Sequence, residues 1–331
     1  MTRLTKLLIP ALFTAAVAQA QYTDQINTNR PGQSQSAFAV GQTVFQIESG
    51  INGIYEKHEI SRYEYYGANA EIALRYGVFA EEFEFMLNMQ YEFDRYTNSL
   101  ETYNRNDFRQ LTFGAKYLLY DPDKYYTPEV NLYSWKENHK FRWRSLIPAV
   151  AVYAGFNLIG KNNPYTFPSD GISPKIVGIL HNHFGKWVWV NNIIGDKLTT
   201  DYLSLGWITT ITRGFSEKWS GFLEYQQYVS DYYADGVVRL GAAHLLNETM
   251  QIDASISTNF KDTPYVAYGG IGFSWRFDLN YKEVLLPGKG DREDEFNKDK
   301  AKQKEERDKR KQEREERRKA LEETPVEPSG E

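Results

Sequence analysis

The sequence predicts an all-β fold, an antiparallel up-and-down transmembrane β-barrel of about 12 strands with a charged C-terminal tail that is helical or disordered. Three observations lead there. The chain opens with an export signal, yet no stretch approaches the roughly 18 consecutive apolar residues of a membrane-spanning helix. Its body repeats a two-residue alternation of apolar and polar side chains. Aromatic residues make up 15% of the chain, with 24 Tyr and 7 Trp, more than a water-soluble core requires and suited to a wide apolar exterior.

In order along the chain, MTRLTKLLIPALFTAAVAQA sets Arg3 and Lys6 before an apolar run from Leu7 to Val17 and closes on Ala18 and Ala20. That is the layout of a secretory signal peptide, so residues 1–20 are expected to be removed. The apolar run is about 11 residues, roughly half of what a spanning helix needs. The 331 residues include no cysteine, which fits a fold large enough to stand without disulfides. Residues 21–42 form an N-terminal periplasmic or luminal segment, in which TNRPGQSQS at 28–36 is polar around an Arg-Pro-Gly turn.

The barrel is assigned to 43–280. In EEFEFMLNMQYEFD at 81–94, Phe83, Phe85, Leu87, Met89, Tyr91 and Phe93 hold one parity, while Glu82, Glu84, Met86, Asn88, Gln90 and Glu92 hold the other. Successive strand side chains point to opposite faces, so one face is apolar and the other polar. The alternation outlasts an ordinary sandwich strand and matches the roughly 9 to 11 residues of a tilted strand crossing a bilayer. MQIDASISTNF at 250–260 repeats it, and the same reading covers 43–56, 63–76, 107–120, 145–159, 173–184, 187–196, 202–212, 218–230, 237–246 and 265–279.

An even number of strands returns both chain ends to one side, which export makes the periplasm. Short links at 77–81, 184–187, 213–218 and 246–249 then fall inside and the longer polar loops 94–106 and 160–172 outside, as such barrels require. The connection 120–143 breaks the rule: it is long and periplasmic, and either folds over the barrel floor or hides a further hairpin. The last strand, GGIGFSWRF, sends Ile271, Phe273, Trp275 and Phe277 outward and ends on an aromatic, which resembles the terminal strand recognised by barrel-assembly machinery.

From Tyr281 the tail holds 15 Lys/Arg and 16 Asp/Glu in 51 residues, with Glu305/Lys309 and Glu313/Arg317 spaced four apart as a solvated helix would have them. It has no apolar seam, so a single helix and a disordered run both remain open. Without tail and signal peptide the body is mildly acidic, which argues against a nucleic-acid partner.

The start of the body carries a resemblance. TNRPG, then QSQS, then VFQIESG at 44–50 resembles the bacterial family known as the MetA pathway of phenol degradation, whose usual form is T-D-R-P-D/G-x-S/T followed by F-Q-x-E-x-G. Thr28, Arg30, Pro31, Gly32, Ser34, Phe45, Gln46, Glu48 and Gly50 stand where that pattern wants them, and Asn29 replaces the usual Asp. FGAKYLLYDP at 113–122 and LIPAVAVYAGFNL at 146–158 extend the likeness over most of the body. It implies a transporter-like barrel in the outer membrane of a Gram-negative bacterium.

In such a barrel Arg30 needs a carboxylate to offset its desolvation. The inward parity offers Glu48, Glu71, Glu82 and Glu84, so Arg30, Pro31 and Gly32 with these four glutamates are the candidates for a luminal plug; the alternative is a mobile leader with a solvated Arg30. Asn88, Gln90, Lys116, Gln226, Gln251 and Asp253 are the candidate pore-lining residues of a modest lumen. His181 and His183 share one strand face, but no third ligand or nucleophile accompanies them, so no catalytic residue, metal or cofactor is assigned. The expected function is a channel or transporter for small solutes, hydrophobic ones included. The alternatives are a structural protein tethered to peptidoglycan by its tail and, less favoured, an outer-membrane hydrolase. Expected partners are the solute, membrane lipid and the assembly machinery.

Overall fold

The computed structural model describes residues 26–124, 143–169, 171–231 and 233–278. The expected signal peptide, most of the 120–143 connection and the expected tail from 281 lie outside the described residues. The strands are β1 (Val44–His58), β2 (Tyr63–Gly77), β3 (Phe83–Asn98), β4 (Thr102–Tyr120), β5 (Ala149–Ile159), β6 (Gly171–Phe184), β7 (Trp187–Asp196), β8 (Ser204–Gly214), β9 (Trp219–Ser230), β10 (Ala234–Asn247), β11 (Met250–Asn259) and β12 (Tyr265–Asp278). Each pairs antiparallel with its sequence neighbours, and β12 returns to β1 to close the barrel.

Across the band where every strand has both neighbours, closure leaves no sheet edge and the backbone is satisfied without water, whereas residues 102–111 of β4 run past β5 and pair with β3 alone. Val44 pairs with Asp278 and Lys57 with Tyr265, which puts the first and last residues of the wall at the same end. Outward side chains are the apolar ones: Ile51, Phe156, Ile193, Leu223 and Ile271 are more than half exposed. Trp187, Trp189, Trp219 and Trp275 cluster on this surface toward the Val44 end, where an aromatic belt would meet the bilayer interface. Among the outward residues of β12, Ile271, Phe273 and Trp275 are exposed, and Phe277 packs on Trp275 and Phe45 with centroids 4.0 and 6.1 Å away.

Two sequence expectations shift. Residues 94–106 are not a loop: β3 and β4 run on to a turn at 99–101, with Thr97 opposite Thr102 and Arg105 donating to both carboxylate oxygens of Asp94 at 2.9 and 2.6 Å. The polar composition that suggested a loop belongs to a hairpin continuing beyond the apolar band, where both faces meet water. At the other end, residues 145–148 are not strand. A 3-10 turn spans Trp143–Leu146 and β5 starts at Ala149, because Pro148 has no N–H to give to a ladder.

The interior is not polar throughout. β5 to β8 turn Ala149, Ala151, Tyr153, Val177, Ile179, Val190, Ile194 and Ile208 inward, where they join Met86 of β3 and Ala37 in a buried apolar cluster. The remaining strands turn charged and amide side chains inward. The lumen therefore has an apolar wall and a charged wall.

Candidate functional site

Residues 26–43 lie inside the barrel and touch nearly every strand. The segment first closes on itself. Asn27 Nδ2 donates to Ser36 Oγ at 3.3 Å and to the Phe38 carbonyl at 3.4 Å, and the Ser36 amide donates to Asn29 Oδ1 at 3.0 Å. Thr28 Oγ1 accepts the Arg30 amide at 3.1 Å, starting the turn into Arg30, Pro31 and Gly32. The result is a compact loop whose ends meet, packed by its own side chains.

The charged wall then holds it. Arg30 donates from Nη1 to Glu71 at 2.8 Å, and from Nη2 and Nε to the two oxygens of Asp253 at 3.2 and 3.4 Å. Its guanidinium lies flat on the backbone of Gly50 and Gly272, register partners in β1 and β12, and a Cβ at either position would collide with it. Glu48 accepts the Asn29 amide at 3.2 Å, and Gln251 donates to the Arg30 carbonyl at 3.3 Å. Glu224 on β9 accepts the amides of Gln33 and Ser34 at 3.0 and 3.2 Å, and also the Thr210 hydroxyl and the Gln226 amide, both at 2.7 Å. Gly32 leaves room for that carboxylate, since a Cβ there would stand 2.6 Å from its oxygen.

A second network underpins the loop near the Val44 end. Arg75 bridges Glu48 at 3.1 Å and Glu84 at 3.0 Å, and donates as well to the carbonyls of Asn27 at 2.7 Å and Phe38 at 3.3 Å. Lys116 donates to Glu84 at 2.7 Å, to the Ser36 carbonyl at 2.7 Å and to the Phe38 carbonyl at 2.9 Å. The side chains of Arg75, Lys116 and Glu84 are fully buried, so each charge depends on these partners. Glu84 also accepts the Val40 amide at 2.8 Å.

Toward the apolar wall the polar ties are fewer. Gln35 and Asn192 exchange two hydrogen bonds at 2.5 and 3.0 Å, and Ser36 reaches His181 at 3.4 Å. Phe38 meets the His181 ring edge-on with centroids 5.0 Å apart. Among the described residues no group of three His, Cys, Asp or Glu could hold a metal ion.

Beyond the loop, toward the end away from Val44, a cavity of about 940 Å³ lies within the strands. Tyr63, Tyr65, Tyr96, Tyr228, Tyr233 and Tyr268 line it, and Arg105 sits over the rings of Tyr65 and Tyr96 at 5.0 and 4.2 Å. A second cavity of about 140 Å³ lies between the loop and the apolar wall, lined in part by Met86, Tyr153, Val177, Ile194 and Ile208.

Set against the sequence candidates, Arg30 meets Glu71 but neither Glu48 nor Glu84, which serve Arg75 and the loop amides. Glu82 takes no part: it lies in the turn before β3 and binds Lys124 at 2.6 Å. That hydrogen bond holds its carboxyl below the ordinary glutamate range, against partial burial. The Pro31 carbonyl accepts from Arg239 at 3.4 Å. Of the residues expected to line a pore, Lys116, Gln226, Gln251 and Asp253 contact the loop or the carboxylates that hold it. Gln90 lines both cavities, and Asn88 the smaller one. Sequence reasoning missed Arg75, Asn192 and Glu224. Glu224 was within reach of the parity argument, two residues before Gln226 on the same face.

Barrels of known structure align over most of the chain at low identity. An outer-membrane channel from Pseudomonas putida F1 covers 76% of this chain and 100% of its own, at 9% identity and a TM-score of 0.48. The translocator domain of the autotransporter NalP from Neisseria meningitidis covers 72% and 89%, at 10% identity and 0.44. The monoaromatic hydrocarbon channel CymD covers 72% and 90%, at 9% identity and 0.39. No curated protein matches the chain by sequence. The family described as "Putative MetA-pathway of phenol degradation" matches residues 28–277, from the TNRPG turn to the last aromatic of β12, and the chain belongs to that family.

Proposed function

We propose that the protein is an outer-membrane channel for small hydrophobic solutes, shut by its own N-terminal loop. The observation that carries this is the two-sided lumen. On the charged wall, displacing the loop parts Arg30 from Glu71 and Asp253, at about 3 to 5 kcal/mol for a buried partner left alone, and takes from Arg75 and Lys116 the loop carbonyls they bond. On the β5–β8 wall, parting Ala37 and Phe38 from Val177, Ile179 and Val190 exposes mainly apolar surface. A hydrophobic solute covers that surface again, recovering about 25 cal/mol per Å². Solute therefore passes between loop and apolar wall while Arg30, Arg75 and Lys116 keep their partners. In this reading the Val44 end faces the periplasm, and the outward aromatics of β12 present the assembly signal.

Conductance in planar bilayers and solute-driven swelling of liposomes test the proposal, comparing the full chain with one lacking residues 21–40. The full chain should conduct little ion current yet admit small hydrophobic solutes, and the deletion should raise ion current severalfold. A correctly folded deletion variant that conducts no better than the full chain would refute a luminal plug.

A further inference from the structure

Two grooves on the outside of the barrel meet at one side chain, Trp219. The first lies at the Val44 end, among the turns that join β6 to β7 and β8 to β9. It measures about 780 Å³ and is lined by Lys186, Gly214, Ser216, Glu217, Lys218 and Trp219. The Gly214 amide donates to the Lys186 carbonyl at 2.9 Å, which ties the two turns together, and Ser216 Oγ accepts the Trp219 amide at 3.1 Å. Arg213, the residue before Gly214, faces outward over the rings of Trp187 and Phe215 at 4.9 and 5.7 Å. Among the described residues none of Lys186, Arg213 and Lys218 forms an ion pair, whereas Lys124 on the same rim is neutralised by Glu82.

The second groove also measures about 780 Å³, with Ile51, Ala70, Ile72, Ala254, Ile271 and Phe273 in its lining. Its floor is backbone at Gly50 and Gly272, and the Glu71 and Asp253 carboxylates that border it are held by Arg30 on the luminal side. The strand register gives its course. Trp219 stands opposite His244 and packs on it with centroids 4.4 Å apart; His244 stands opposite Ile252, Ile252 opposite Phe273, Phe273 opposite Ser49 and Ser49 opposite Ile72. Trp219 opens β9 at the rim, whereas Ile72 lies well inside Gly77, the rim end of β2. The groove thus climbs from the interface into the apolar band. A smooth apolar wall takes any lipid chain, but a recess with lysines at its interfacial end favours an anionic head above an apolar chain, since basic residues at a membrane surface attract anionic lipid. Tryptophan suits the junction, because its ring sits at headgroup level. We propose that the joined grooves bind an anionic phospholipid from the leaflet at the Val44 end, its phosphate held by Lys186 and Lys218 and one acyl chain lying over Ala254 toward Ile271. The site depends on the barrel crossing a bilayer and not on what passes through its lumen.

The full-length protein in phosphatidylcholine vesicles tests this, with phosphatidylglycerol carrying brominated chains as the probe and quenching of tryptophan fluorescence as the readout. Brominated phosphatidylglycerol should quench in a saturable phase at low mole fraction, and brominated phosphatidylcholine should not. Trp219→Phe should remove that phase. Lys186→Gln and Lys218→Gln should each weaken it about fivefold, the worth of one basic residue at an anionic membrane surface. Ala254→Phe, which fills the apolar groove and leaves both lysines in place, should weaken it as well. Equal quenching by the two lipids, or a phase that survives Trp219→Phe unchanged, would mean that only bulk lipid covers this wall. Displacement of the probe by inorganic phosphate would reduce the site to an anion site and overturn the lipid. The comparison of the two lipids on the wild-type chain stands even if a variant fails to fold. Absence of solute flux would count against the channel reading and leave this site standing.

Discussion

Asp253 of β11 takes both the Nε and the Nη2 hydrogens of Arg30, a side-on pairing at 3.4 and 3.2 Å that fixes the plane of the guanidinium against the barrel wall. Because Glu71 takes the remaining edge, Arg30→Ala leaves the buried Asp253 carboxylate without its donor and Glu71 with only the 3.4 Å bond from Gln90. The loop should lose about 3 to 5 kcal/mol of docking energy, while the strand ladder, which Arg30 does not join, keeps the barrel folded. The check is protease sensitivity of residues 26–43 together with conductance: both should rise, with the heat-modifiable gel mobility of a folded barrel retained. No change in either would show that the pairing does not hold the loop.

Glu224 holds the loop through backbone amides of Gln33 and Ser34 and not through an ion pair. Its substitution by Gln keeps the shape but removes one acceptor oxygen from the Gln33 and Ser34 amides and the Thr210 hydroxyl. The expected loss is about 1 to 3 kcal/mol, smaller than for Arg30. Gly32→Ala should mimic it, since the added methyl meets the same carboxylate. Hydrogen exchange at the amides of Gln33 and Ser34 reads both variants directly; unaltered protection in Glu224→Gln would contradict the assignment.

Period-two alternation located β3 and β11 because one face of each is apolar and the other polar along nearly its whole length. The same signal is weak on β5, where AVAVYAGFNLI is apolar on both faces: Ala151 and Tyr153 face the lumen, Val152 and Phe156 the exterior. A lumen with one apolar wall was therefore invisible to a rule that equates inward with polar. The seat of Arg30 was narrowed by parity to a few carboxylates, but parity cannot choose among them, because which glutamate lies beside the loop depends on the stagger between strands. Thus Asp253, read as pore lining, meets Arg30, while Glu82 lies outside the lumen.

The contact between Thr28 and Ser274 offers a lock. Their side-chain oxygens are 3.1 Å apart, which ties the base of the loop to β12. Disulfides require Cβ atoms within about 3.5 to 4.5 Å, a separation this contact allows. The chain has no native cysteine to compete. Thr28→Cys combined with Ser274→Cys should form a bridge on oxidation, abolish the conductance gained by Arg30→Ala when the three changes are combined, and release it on reduction. Conductance indifferent to the redox state, with the bridge confirmed by mass, would mean that ions bypass the loop.

Ile51 and Asn52 are neighbours on β1 with opposite surroundings: Ile51 is 64% exposed on the outer face beside Ile271, while Asn52 is 7% exposed and lines the vestibule. A lysine at Ile51, near the middle of its strand, would stand in the hydrocarbon and cost about 2 to 4 kcal/mol. At Asn52 the same lysine reaches into a cavity of about 940 Å³. Its cost there should be under about 1 kcal/mol, because its amine stays in a polar, solvated space. Denaturant unfolding in lipid vesicles compares the two at equal depth in the bilayer. Equal destabilisation would mean that the assignment of faces along β1 is wrong, since a shift of one residue in the strand exchanges its faces.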